Sequence, residues 1–175
     1  MTGKIGTIFV LIGLAIMTVQ IKGCIQSNYA FENKYSYAWN LSDKSSTIEA
    51  KSTYINDFVN NLASNREEFA SHCAIWLKTP DNSFENNIKA LSTLKDRLVE
   101  IKGMDVASFQ YNTAIQQITS QEQGEAHKLI ATIQGCYDLN NYWYVWDWIG
   151  LIIGCTASIF LFVGAICWGV WIDNN

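Results

Sequence analysis

The stretch that decides the fold is Tyr142–Trp171, YWYVWDWIGLIIGCTASIFLFVGAICWGVW. From Trp148 to Trp168 it holds 21 residues and no charge. At a helical rise of ~1.5 Å per residue, such a run matches a hydrocarbon core of roughly 30 Å. Aromatic rings crowd both ends: Tyr142, Trp143, Tyr144, Trp146 and Trp148 before it, Trp168 and Trp171 after it. Rings with an apolar body and a polar tip favour the headgroup level of a bilayer. The stretch 142–172 therefore reads as a transmembrane helix with two aromatic belts, and not as the core helix of a soluble protein.

A second apolar run opens the chain. Ile5–Ile21, IGTIFVLIGLAIMTVQI, is flanked by Lys4 and Lys22. Its 17 residues sit at the short end for a span. A weakly basic start and a short apolar run also fit a signal peptide, and Ile21-Lys22-Gly23-Cys24 hints at a lipoprotein cleavage site. We expect a retained anchor over residues 5–22. Two spans put both ends on one side and residues 23–141 on the other. Lys4 and the terminal amine favour a cytoplasmic N-terminus, and Lys22 opposes them, so the expectation is cytoplasmic termini and an exported middle. The triplet Asn40-Leu41-Ser42 would be a glycosylation acceptor only in a eukaryotic secretory setting.

Composition narrows the classes. Charged residues make up 16% of the chain, where about a quarter is usual for a soluble domain. The net charge of −4 offers no basic surface for nucleic acid. A single proline, Pro80, argues for long helices and against an all-β fold. The five cysteines, Cys24, Cys73, Cys136, Cys155 and Cys167, form no CxxC pair, and His72 and His127 lie far apart, so a zinc site is not expected.

The middle reads as all-α. No glycine or proline interrupts Ile25–Lys78, and apolar residues recur every seventh position at Leu41, Ile48, Ile55, Leu62, Phe69 and Trp76. A companion set four residues on, Ser45, Ser52, Val59, Arg66 and Cys73, is mixed. The pattern predicts one long helix with a single good seam, either an imperfect coiled coil or an amphipathic helix of a bundle. Thr79–Ser83 then breaks the helix at Pro80, and Asp81 or Ser83 can cap the next one. Phe84, Ile88, Leu91, Leu94, Leu98 and Ile101 continue at helical spacing. Gly103 and Gly124, the latter beside the polar run Ser120–Gln123, are weak points. Outward and returning paths of equal length predict a long antiparallel hairpin with its tip near 79–83. The alternative is a small bundle broken at Gly103 and Gly124.

Residues 5–118 resemble the LemA family of membrane-anchored helical proteins. The resemblance rests on the anchor, on Ala38-Trp39, on Tyr54-Ile55-Asn56-Asp57-Phe58-Val59, and on Leu94-Lys95-Asp96-Arg97-Leu98 followed by Tyr111-Asn112-Thr113-Ala114-Ile115. The family's arginine pair and proline are missing where Lys51-Ser52 and Asn56 stand, and the second span is extra to its plan. The resemblance implies architecture and no chemistry.

Motifs for catalysis are not found. Adjacent side chains on a helix diverge by about 100°, so His72-Cys73 on a helix would form no nucleophile–base pair. Neither a GxxxxGK[ST] loop nor an HExxH helix occurs, and no cofactor is implied. Asp147 sits in the aromatic belt, where an interfacial anchor is the simpler reading. Cys24 and Cys136, near the membrane end of the two hairpin arms, are candidate partners for a disulfide. The strongest interaction signal is Gly150-Leu151-Ile152-Ile153-Gly154, extended by Ser158, because small residues at fourfold spacing let helices approach closely in lipid. Gly6 and Gly13 offer one more flat strip in the first span.

These readings predict a non-enzymatic membrane subunit in contact with lipid. It would assemble with copies of itself or with other membrane subunits, through Gly150, Gly154 and Ser158 and through the hairpin seam. The alternative is a sensor or ligand-binding module. With only a few residues following the second span, such a module would rely on a signalling partner.

Overall fold

A computed structural model describes residues 2–76, 78–118 and 123–173. Ser120, Gln121 and Glu122 of the expected polar weak point lie outside the described residues. Within the described residues the chain is helical, with no strand and one isolated antiparallel bridge between His72 and Ser83. Two compact units form: one from the N-terminal stretch up to Asn28 together with the stretch from Tyr142 onward, the other from Tyr29–Asn141.

In the second unit the chain enters at the end of α1 (Thr2–Phe31), passes a π-helical turn, Glu32–Ser36, and continues as α2 (Tyr37–Lys44). Phe31, Tyr35 and Trp39 are all buried. A spacing of four drifts by about 40° per step on a regular α-helix. The wider π turn absorbs that drift and keeps all three rings on one face.

The uninterrupted helix expected over Ile25–Lys78 does not form. Ser45 is extended, with ψ 134°, and its hydroxyl donates to the Leu41 carbonyl at 2.7 Å. Thr47 then caps α3 (Ile48–Ser64), accepting from the Ala50 amide at 3.3 Å. Three successive hydroxyl residues offer the backbone alternative partners, and that competition outweighs the absence of glycine and proline. At the far end of α3 the Asn65 side chain donates to the Asn61 carbonyl at 2.8 Å, and residues 65–76 and 78–83 are mostly irregular, apart from short turns at Arg66–Glu68 and Pro80–Asn82.

The sevenfold seam is therefore spread over separate segments. Ile55 and Leu62 are buried in α3 beside Phe58 and Val59, and Phe69 is buried beyond its end. Leu41 and Ile48 are half-buried, and Trp76 is 65% exposed. One face cannot run through a helix break, so spacing across Ser45–Thr47 and Asn65 does not define a coiled coil.

α4 (Phe84–Lys102) follows its sequence pattern closely. Ser83 caps it, accepting from the Asn86 amide at 3.1 Å, and Phe84, Leu91, Leu94, Leu98 and Ile101 are buried, with Ile88 half-buried. Asn87 is buried too, and its amide donates to the carbonyls of Asp81 (2.8 Å) and Ser83 (2.7 Å), fastening the Pro80 turn to the helix. After Gly103 the chain turns to α5 (Phe109–Gln117), capped by Ser108. α6 (Gln123–Asn141) buries Ala126, Ile130, Ile133, Cys136 and Tyr137. α3 packs against α2 and α4, and α4 packs against α6, so the unit is a small bundle.

The first unit holds α1 as far as Asn28, the short α7 (Trp143–Trp146) and α8 (Trp148–Asp173). Two helical runs, Lys4–Lys44 and Trp148–Ile172, are long and apolar enough to cross a membrane. Over Ile5–Ile21 and Trp148–Trp168 they are apolar around most of their circumference: Leu11 is 61% exposed and Phe162 is 69% exposed. A helix that is apolar all round belongs in a large core or in lipid.

Candidate functional site

Within the first unit, α1 and α8 run antiparallel with a seam of small residues. Gly6 faces Gly164, and Gly13 faces Ala157 and Leu161. One turn-pair further, Gln20 meets Gly150. Each helix thus steps by seven, the spacing that keeps one face on a partner. A Cβ on Gly164 would lie 3.0 Å from the Gly6 carbonyl and from the Val10 amide, and one on Gly13 would lie 2.8 Å from Leu161 Cγ. Ala157 is fully buried, and Phe9 stacks on Phe160 with centroids 5.4 Å apart. Close backbone approach of this kind is how helices associate where lipid removes the hydrophobic drive.

Gln20 closes the seam. Its amide donates to the Gly150 carbonyl at 2.9 Å and lies 3.5 Å from the Tyr144 carbonyl. The chain breaks between α7 and α8 at Asp147, which is extended with ψ 179°, and folds back so tightly that a Cβ on Gly150 would sit 2.2 Å from the Val145 carbonyl. Gly150 therefore makes the corner, and its carbonyl is the point at which Gln20 of α1 meets α8.

The other two residues of the expected motif lie elsewhere. Gly154 is half-buried beside Gln20, whose Oε1 would be 3.1 Å from an added Cβ. Ser158 is exposed and donates to the Gly154 carbonyl at 3.0 Å. Together with Gln20, Gly150, Leu151 and Cys155 they line an open groove of about 510 Å³. The contacts between α1 and α8 follow a sevenfold set, Gly6, Gly13 and Gln20 against Gly150, Ala157 and Gly164, which shares Gly150 with the expected motif.

In the second unit, Cys136 is bonded to Cys73 and not to Cys24, which is a free, half-buried thiol. The expected pairing assumed a single outward helix that would carry Cys73 to a distant tip. The breaks at Ser45–Thr47 and Asn65 instead return residues 66–73 to α6. The Ala70 amide donates to the Cys136 carbonyl at 3.0 Å, the Cys73 amide to Asn82 at 2.7 Å and the Phe84 amide to Ser71 at 3.1 Å. A Cβ on Gly135 would stand 2.8 Å from the Cys73 carbonyl, so the strand of chain lies flat on α6. His72-Cys73 is thus in an irregular segment rather than on a helix, and Cys73 Sγ is committed to the disulfide.

Around this clamp stands an aromatic cluster. Phe69 stacks on Phe84 at 4.6 Å, Tyr35 meets Phe69 edge-on at 5.1 Å, and Tyr137 lies within 5.8 Å of Phe31, Tyr35 and Phe69. Tyr35 donates its hydroxyl to Glu68 Oε2 at 2.8 Å, and Lys34 pairs with Glu68 Oε1. Lys34 holds the Glu68 carboxyl below the usual carboxylate range, against its partial desolvation. Burial, then the Glu68 hydrogen bond, pushes the Tyr35 phenol far above its ordinary value. Asn140 and Asn141 donate to the carbonyls of Glu67 (3.2 Å) and Glu68 (2.8 Å), tying the same segment to the end of α6.

No cluster of three or more metal-ligating side chains occurs among the described residues. Of the segments that carry the LemA resemblance, Ala38-Trp39 lies in α2, Tyr54–Val59 in α3 and Tyr111–Ile115 in α5. Comparison with protein-family models, with curated proteins and with solved structures finds no match.

Proposed function

We propose that this chain is a two-span integral membrane protein that acts as a structural or assembly subunit. It presents its bundle on the exported side and joins a second copy or other membrane subunits through its spans. The observation that carries the reading is the groove left open beside Gln20 after α1 and α8 have paired, with Gly154 and Ser158 on its floor. A third apolar helix fits such a strip by close backbone approach.

Two further features support the placement. Gly6 and Gly13 of the first run meet Gly164 and Ala157 of α8 in step, which favours a retained anchor over a cleaved leader. The Cys73–Cys136 bond favours an oxidising compartment for residues 23–141, and hence cytoplasmic termini. The aromatic residues Trp143, Trp146 and Trp148, each more than 40% exposed, suit one headgroup layer, and Trp168 and Trp171 the other.

The test is the mass of the protein extracted in mild detergent, corrected for bound detergent, for the natural chain and for Ser158→Leu. Ser158 is the better target because Gly154→Leu would also displace Gln20. The expected result is a defined multiple, or a reproducible complex with other chains, that becomes smaller in Ser158→Leu. A stable monomer, or a complex indifferent to that substitution, would remove the assembly reading and turn attention to a ligand-binding role for the exported bundle.

A further inference from the structure

We propose that the groove beside Gln20 is filled by α8 of a second copy of this chain, with the two α8 helices related by a two-fold axis that passes beside Cys155. This names the partner within the membrane assembly proposed above and rests on that reading.

The groove and the shape that fills it stand side by side on one helix. Its floor is the row Gly150, Gly154 and Ser158, and its outer wall is the row Leu151, Cys155 and Ile159. Each wall residue follows a floor residue by one position, and both rows step by four. Rows with that step are inclined to the helix axis, and the size of their side chains makes them ridges or furrows. Two glycines and a serine make the furrow. Leu151, Cys155 and Ile159 make the ridge, and all three are exposed. The Ser158 hydroxyl turns back to the Gly154 carbonyl at 3.0 Å, so its donor is already paired within the furrow.

The furrow is continuous with the contact between α1 and α8 and lies just outside it. Val145 closes it at the Gly150 corner, and Gln20 of α1 forms its inner side, with the amide oxygen towards Gly154. α1 itself is already seated on the neighbouring face, against Gly150, Ala157 and Gly164.

A two-fold contact requires one patch to carry both halves of the fit. Copies in one membrane share an orientation, so their α8 helices run parallel and equal residues meet at equal depth. The ridge 151–155–159 of each copy then faces the furrow 150–154–158 of the other. A different subunit would need only the furrow; the adjacent ridge of the same step is what a second copy uses. No charged side chain lines the patch, so two copies meet without opposing like charges. Ridges of fourfold step packed into matching furrows give a right-handed crossing of about −40° with close backbone approach. Cys155, in the middle of the ridge, comes beside its counterpart.

The experiment is oxidative cross-linking with copper phenanthroline of the full-length chain in lipid membranes. Cys24→Ser and Cys167→Ser leave Cys155 as the single free thiol, and the Cys73–Cys136 bond is kept. A matched chain adds Cys155→Ser and Thr156→Cys, which turns the thiol by about 100° away from the groove at nearly the same depth. The expected result is a covalent dimer through Cys155 and none from the Thr156→Cys chain. Ser158→Leu, which fills the furrow, should lower the linked dimer by roughly tenfold. Absence of the Cys155 link, equal linking from the Thr156→Cys chain, or linking indifferent to Ser158→Leu would each overturn the two-fold pairing. If the pairing fails while the extracted complex still exceeds a monomer and shrinks in Ser158→Leu, the groove holds a different subunit and the broader assembly stands. A monomer that also fails to link removes both.

Discussion

Glu68 has an electrostatic role that a sequence scan misses. Lys34 and the Tyr35 hydroxyl both favour its charged form, so its folded pKa lies below the unfolded one. Its contribution to stability is therefore present at neutral pH and is lost as pH falls below the ordinary carboxylate range. Tyr35 has the opposite sign: its folded pKa is raised, so its contribution holds below pH about 10 and declines above that. Glu68→Gln should cost about 1 kcal/mol at pH 7 and flatten the acid limb of a stability–pH profile measured by denaturant unfolding. Trp39 makes the contrary case. Its ring is buried, packed edge-on near His127 at 5.5 Å, but its indole nitrogen has no hydrogen-bond partner among the described residues. An unpaired buried donor costs about 1–3 kcal/mol, so Trp39→Phe should change thermal stability by less than about 1 kcal/mol despite the loss of ring area.

At the scale of elements, the pairing of α1 with α8 depends on what is absent from side chains. Gly13 cannot carry a Cβ without moving Leu161 or the Ala157 carbonyl, whereas Gly169 has open space around it. Gly13→Leu should widen the helix separation and cost about 1–3 kcal/mol, while Gly169→Ala should be silent. Spin labels on the two helices and thermal unfolding in detergent would read both. The π turn at Glu32–Ser36 does comparable work in the bundle. It lets Phe31, Tyr35 and Trp39 share a face, and it was invisible to a periodicity argument because that argument assumes a constant 3.6 residues per turn. The apolar stripe of α4 was legible for the converse reason, since it lies within one uninterrupted helix, whereas the spacing left the cap open between Asp81 and Ser83 and gave the end at Gly103 only as the alternative.

For the whole molecule, the disulfide spans 63 residues of sequence, and closing a loop of that size removes about 4 kcal/mol of denatured-state entropy. A chain with Cys73→Ser and Cys136→Ala should lose about 2–5 kcal/mol in the bundle, read by denaturant unfolding of the bundle's far-ultraviolet signal. The loss should be confined to that unit, because residues up to Asn28 and from Tyr142 onward form a separate one.

The sequence by itself determined the helical class, the two long apolar runs, a helix start just after Pro80 and the stripe of α4. These are local properties, written within one or two dozen consecutive residues as composition, hydroxyl caps and 3.6-residue spacing. Only the tertiary structure decided that Cys136 meets Cys73, that Tyr35 and Lys34 meet Glu68, and that Gly6 meets Gly164. Each of those pairs joins residues more than thirty positions apart. Their meeting depends on the direction in which the chain leaves each break at Ser45–Thr47, Asn65 and Asp147. That direction is set by packing of the finished core, because many backbone exits are of similar local energy and only burial distinguishes between them.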